Sequence, residues 1–242
     1  MKALLKHLVE FFLSLRTAIW SLSILTIMLL AGAYIMPARQ EFQSIHSAPL
    51  FIWLQEQPLS ITWWLWLSIG ILAVLTANTL VCSIESIIKK RKVTQWLLLI
   101  SPQIIHIGFL FILLAHLLSA TGSAQGMAVA REGSSFEIPG NTTFVIKAID
   151  IQIDPKGYMT DWAVAVEYMM NNGKVLKDTI KPNSPSLQAG LNINVKDLQA
   201  FPEKAILLQF SKDPGAYWAL VGGICFMIGV IILAVLKIKI ER

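Results

Sequence analysis

Charge is what this 242-residue chain has least of. Only 14% of its residues are Asp, Glu, Lys or Arg, against about 25% in soluble domains, and its mean hydropathy is +0.62. That balance excludes an ordinary water-soluble globule. Cysteine is nearly absent too: Cys82 and Cys225 are the only two, far apart and both in apolar surroundings. With no CxxC pair, neither a thioredoxin-like redox centre nor a cysteine zinc site can be built, and the two thiols read as small buried hydrophobes. There is no nucleophile elbow, P-loop, dinucleotide fingerprint or HExxH zinc motif, so the chain is not expected to be an enzyme on its own. Internal repeats and low-complexity tracts are also missing.

What is present is apolar sequence in four long runs. Residues 1–16 place Leu4, Leu5, Leu8, Phe11, Phe12 and Leu15 on one helical face and Lys2, Lys6, His7 and Glu10 on or near the other, the pattern of a helix lying in the membrane surface. A first span covers 17–36, with Pro37 closing it. Its 20-residue apolar run exceeds the 7–15 residues usual for a cleaved signal, so a retained anchor is expected. Residues 37–60 form a loop with Pro49 and Pro58. The second span, 61–83, begins with TWWLW, whose Trp63, Trp64 and Trp66 suit a membrane interface, and Asn78 is its one strongly polar residue. A basic loop, 84–95, contains Lys89, Lys90, Arg91 and Lys92 in a row. A third span covers 96–120 and a fourth 216–236, the latter with Gly222, Gly223 and Gly229 to allow close helix contact. The tail is 237–242.

Between the third and fourth spans the character changes. Residues 121–213 carry regular charges and alternate with period two, as in Ile149, Ile151 and Ile153 against Asp150, Gln152 and Asp154. Asn171-Asn172-Gly173 reads as a hairpin turn, and 191–199 and 204–210 read as further strands. Cys and His are missing from this region, so it offers no thiol or imidazole chemistry. Asp150, Asp154 and Asp161 read as strand-edge and turn residues. The expected fold is therefore an integral membrane protein of four transmembrane α-helices, with a β-rich extracytoplasmic domain between spans three and four.

Lys/Arg bias sets the expected orientation. The N-terminal segment, the 84–95 loop and the tail together hold ten of the 20 basic residues but three of the 15 acids. All three fall on one side of a four-span chain, giving N-in and C-in with 121–213 outside.

The third span, WLLLISPQIIHIGFLFILLAHLLSA, has no charged residue, yet it holds two of the four histidines, His106 and His116. An imidazole in hydrocarbon is costly unless paired, so such residues mark polar sites. A mid-membrane histidine can ligate haem iron, relay protons or bond another helix. Ten residues separate the two, about 15 Å along the axis and about 80° around it, so they cannot serve one ion together. No other span has a histidine. A six-coordinate haem would need its opposite ligand from a second protein or a second copy.

Several stretches, taken in order, carry a family resemblance. LRTAIWSLSILTIMLLAGAYIMP, HSAPLFIWL, WWLWLSIGILAVLTANTLVCSIESI and IIHIGFLFILLAHLLSATG resemble the first three spans of ResB/CcsB-type cytochrome c biogenesis proteins. AIDIQIDPKGYMTDWAVAVEYMMNNGKVLKDTIKPNSPSLQAGLNINV is similar to that family's outer domain, in a shorter form. The resemblance implies a bacterial inner-membrane subunit of the system II cytochrome c synthase, working with a ResC/CcsA-type haem-handling partner and apocytochrome c. It implies transient haem b shared with that partner, with His106 in its IHIG context the best match to the family's histidine and possible iron ligand, and His116 the runner-up. TWWLW lacks the glycine and aspartate of the partner's tryptophan-rich haem loop and is not assigned that role. Cys82 matches a frequent family cysteine and is read as structural. Two other readings stand beside this one. One is a scaffold that holds the partner and apocytochrome without binding haem. The other is a membrane electron carrier, disfavoured because it needs paired histidines on facing spans.

Overall fold

The computed structural model describes residue 7, residues 10–89 and residues 96–240. The expected surface helix falls largely on residues 1–9, of which only His7 is described. Lys90–Gln95 of the basic loop and the last two residues of the tail also lie outside the described residues. The chain divides into two compact units. One comprises residues 1–121 and 214–242; the other is Gly122–Asp213.

The first unit is helical. Its elements are α1 (Leu15–Ala38), a 3-10 turn (Gln40–Ser44), α2 (Leu50–Glu56), α3 (Leu59–Lys89), α4 (Trp96–Gly122) and α5 (Ala216–Ile240). Four of them, α1, α3, α4 and α5, are long and apolar enough to cross a membrane. That number, with a β-rich region between the third and fourth, is the layout expected from the sequence, and the chain is a multi-pass membrane protein. Pro37 does not close α1 but sits inside its last turn. Pro102 likewise lies inside α4, six residues past its start, where a lost backbone bond is tolerated in a spanning helix.

The 37–60 stretch is not irregular. Pro49 starts α2, and its carbonyl accepts from the N–H groups of Ile52 and Trp53, each at 3.0 Å. Phe42, Trp53 and Leu54 form a small core with Met36, Leu50 and Trp64 around it. The buried Trp53 donates its indole N–H to Ser44 Oγ at 3.0 Å. A single apolar segment with one well-placed tryptophan is enough to order this connection.

Asn78, the polar residue of α3, is explained by the break in helical structure at Ser14, ahead of α1. Ser14 leaves the helical conformation (φ −78°, ψ 119°), which interrupts the regular helical bonding there, although Ser14 O still accepts from Ala18 N–H at 3.3 Å. Asn78 Nδ2 donates to Phe12 O at 2.6 Å and to Ser14 O at 3.3 Å. One turn on, Cys82 Sγ lies 3.7 Å from Phe12 O and 3.9 Å from Leu13 O.

The second unit is a pair of four-stranded antiparallel sheets. Its strands are β1 (Ala124–Ala130), β2 (Ser135–Ile138), β3 (Thr142–Ile153), β4 (Met159–Met170), β5 (Val175–Ile180), β6 (Ser186–Gln188), β7 (Leu191–Gln199) and β8 (Ala205–Lys212). The sheet orders are β1-β8-β7-β6 and β2-β3-β4-β5. Alternate residues from both sheets share one core, including Phe144, Ile146, Val166 and Tyr168 from one and Ile193, Ile206 and Leu208 from the other. Asn171-Asn172-Gly173 does turn β4 into β5: Gly173 has φ +78°, and Met170 N–H donates to Lys174 O at 2.9 Å. Tyr168 is buried, and its hydroxyl donates to Ser186 Oγ at 2.6 Å. Ser186 in turn donates to Asp178. Burial raises the Tyr168 phenol above its ordinary value. On the sheet surface Glu167 bridges Lys147 and Lys177, and the hydrogen bond from Lys147 holds its carboxyl below the usual range.

Candidate functional site

The rotation of α4 is set by small residues. A Cβ at Gly108 would lie 2.5 Å from Phe226 N and 2.7 Å from Gly222 O. At Gly222 it would lie 2.7 Å from Gly108 O, and at Gly229 it would lie 2.8 Å from Ile105 N. Gly215 sits equally close to the Ala115 carbonyl and Ser119. Gly215, Gly222 and Gly229 are seven residues apart, so they form one stripe along α5. It meets Ser101, Ile105, Gly108, Ile112, Ala115 and Ser119 along α4, the close backbone approach that small residues permit in a membrane. Phe111 stacks on Trp218 with ring centroids 5.5 Å apart. Gly223, also expected to allow close contact, has nothing within 4 Å of its Cβ position. Gly215 precedes the apolar run and escapes notice without its seven-residue spacing.

With that face committed to α5, His106 meets α3. Its Nδ1 lies 2.7 Å from Ser83 Oγ, and the ring is half-buried. His106 is the eleventh of α4's 27 residues. When the proton sits on Nδ1 and is donated to Ser83 Oγ, Nε2 keeps its lone pair, which is the tautomer that metal ligation requires. Ser83 is invisible to sequence reading as a site residue. It is one serine near the charged end of a long helix, and only the α3–α4 packing gives it a role.

One turn before His106, Gln103 is 9% exposed and neither Nε2 nor Oε1 has a hydrogen-bond partner among the described residues. Ser101 is fully buried with its Oγ also unpartnered. The first turns of α4 therefore hold buried polar groups with no partner among the described residues.

His116 is placed differently. It is exposed on α4, beside the buried Ala115, and among the described residues it makes no hydrogen bond or ion pair. The structure does not bring the two histidines together. His106 is held inside the chain; His116 is offered outward.

His106 and His116 stand apart, so each could offer a haem iron or other metal at most one imidazole nitrogen. Nε2 of His106 is oriented by a hydrogen-bonded Nδ1, as ligating histidines are. Among the described residues no group of three or more His, Cys, Asp or Glu could hold a bare metal ion. Cys82 Sγ is engaged with the backbone carbonyls of Phe12 and Leu13. In the β unit, Asp154 Oδ1 accepts from the N–H groups of Lys156 and Tyr158 at 2.9 and 2.8 Å, a turn role. Asp161 Oδ1 accepts from Trp162 N–H at 2.8 Å.

No family model matches the sequence, and no curated protein matches it. A solved structure, titled "Cytochrome c Heme Lyase CcmF", is similar at 12% identity and a TM-score of 0.46, over 88% of this chain and 34% of that one. The chain thus spans about a third of the length of that protein, and a likeness of this size does not establish a common fold.

Proposed function

We propose that this protein is a haem-handling membrane subunit of cytochrome c maturation, of the ResB/CcsB type, acting in the bacterial inner membrane. The observation that carries the reading is the Ser83–His106 pair: an intramembrane imidazole with Nδ1 engaged and Nε2 left for a ligand. The sequence resemblance over nearly the whole chain supplies the chemistry that this imidazole serves. The β unit between the third and fourth spans supports it, since a folded extracytoplasmic domain suits a protein that meets an exported apocytochrome.

When bound, haem supplies the iron and vinyl groups that end in the covalent attachment. The chain's own part is positional. Ser83 fixes the His106 ring plane, and the glycine seam between α4 and α5 fixes the height of His106. His106 would supply one imidazole to the haem, and a further ligand would come from another protein, in this reading a ResC/CcsA-type partner. His116 is exposed and has no hydrogen-bond or ion-pair partner among the described residues, so it serves whatever packs against that face of α4. The chain performs no bond-making alone.

A scaffold reading, without haem, differs in one measurable respect. Co-purification from gently solubilised membranes, followed by a reduced-minus-oxidised haem spectrum, tests the two. A stoichiometric haem-binding partner whose spectrum changes when His106 is replaced supports the proposal. A partner whose spectrum ignores His106 supports the scaffold, and no haem protein in the complex contradicts both.

A further inference from the structure

A groove of about 250 Å³ runs between α1 and the start of α3. Met28, Ala31, Gly32 and Ile35 line it from α1, at the i, i+3, i+4 and i+7 positions that make one stripe parallel to the helix axis. Trp64 closes its floor, with the ring packed on Gly32 so closely that a Cβ there would be 2.5 Å from Trp64 Cη2. The stripe ends at Arg39, one residue past the end of α1. Arg39 is the only charged residue in the lining, and its guanidinium has no ion-pair partner among the described residues. Ser60 and the half-exposed Trp63 flank the same end; tryptophan is enriched at that depth, where hydrocarbon meets headgroups.

We infer that this groove holds one anionic phospholipid, with an acyl chain along Met28–Ile35 and its phosphate against Arg39. The shape favours a chain over a ring system. The groove follows a spanning helix, and its volume falls below the roughly 300–1,000 Å³ of pockets that take drug-sized molecules. The charge favours an anion. A cation at the mouth of an otherwise apolar groove, with no ion-pair partner among the described residues, complements an amphiphile with one negative head. The site is independent of His106 and of the reading given above.

The test is native mass spectrometry of the full-length protein in detergent, titrated with phosphatidylglycerol and, separately, phosphatidylcholine. The wild type should retain one phosphatidylglycerol and little phosphatidylcholine. Arg39→Gln should weaken phosphatidylglycerol retention about tenfold or more, the loss of one charge-assisted contact to the phosphate, while Arg39→Lys retains it. Ala31→Phe, which fills the groove, should abolish retention. Ala33→Phe, on an exposed position outside the groove, should not. Arg39 is exposed, so its variants report on binding even if Ala31→Phe fails to accumulate. Equal retention of the two lipids, or wild-type retention by Arg39→Gln, overturns the inference. So does Arg39-dependent binding of added haem by a protein that retains no phosphatidylglycerol.

Discussion

Ser83 Oγ and His106 Nδ1 meet at 2.7 Å across the α3–α4 contact, so the protein spends a side chain from a second helix on orienting one imidazole inside an apolar bundle. Neighbouring polar groups are treated differently. Asn78 is consumed by backbone carbonyls at Phe12 and Ser14, whereas Gln103 is buried with no partner among the described residues.

Ser83→Ala should leave His106 in place but free to rotate. Loss of such an orienting partner typically costs 10–100-fold in metal affinity. Haem retained by the complex should therefore fall about tenfold while the protein's level in the membrane is unchanged. Haem quantified per unit of complex checks this, and no change would show that Ser83 does not orient a ligand.

The α4–α5 seam predicts a sharp difference between adjacent glycines. Gly222→Leu drives a side chain into the Gly108 carbonyl and Ile112 N, and should strip the protein from the membrane fraction or make it protease-sensitive. Gly223→Leu points into open space and should accumulate normally. Immunoblots of membrane fractions decide it.

In the β unit, Tyr168→Phe removes the donor that feeds Ser186 and, through it, Asp178. Ser186 is left buried with one bond missing, a cost of about 1–3 kcal/mol. The expected outcome is a lower threshold for proteolysis of the 122–213 region in the intact protein, with the spans unaffected.

Orientation is testable by reporter fusions. Gly140, in the β2–β3 turn, and Lys90, in the basic loop, should report opposite faces of the membrane, with Lys90 cytoplasmic. A cytoplasmic signal from Gly140 would contradict the topology.

The fold class was legible because its signals are long. Four uncharged runs and a region of period-two alternation survive any uncertainty about individual residues. The β4–β5 turn was legible because Asn-Asn-Gly has one favoured geometry. α2 was not, since LFIWLQE is too short to show helical period and is ordered by the pocket that receives Trp53. β1, AQGMAVA, was missed for a related reason: alanine and glycine carry little strand preference, and its pairing with β8 comes from sequence more than 70 residues away. At the site, His106 and His116 stood out because imidazole is rare in apolar sequence. Their different environments, one tied to Ser83 and one exposed, follow from the rotation of α4, which depends on glycines in α5. No local pattern encodes that.

The central claim, that His106 presents Nε2 to haem, is tested most directly by His106→Ala and His116→Ala in cells that export a cytochrome c. Three quantities are read for each variant: protein level, covalent haem on the cytochrome, and recovery with added imidazole. The account predicts that His106→Ala accumulates normally, loses maturation, and regains part of it with imidazole, which enters the vacated space beside Ser83. His116→Ala should lose less. Full maturation in His106→Ala would contradict the account, as would a loss that tracks falling protein level and ignores imidazole.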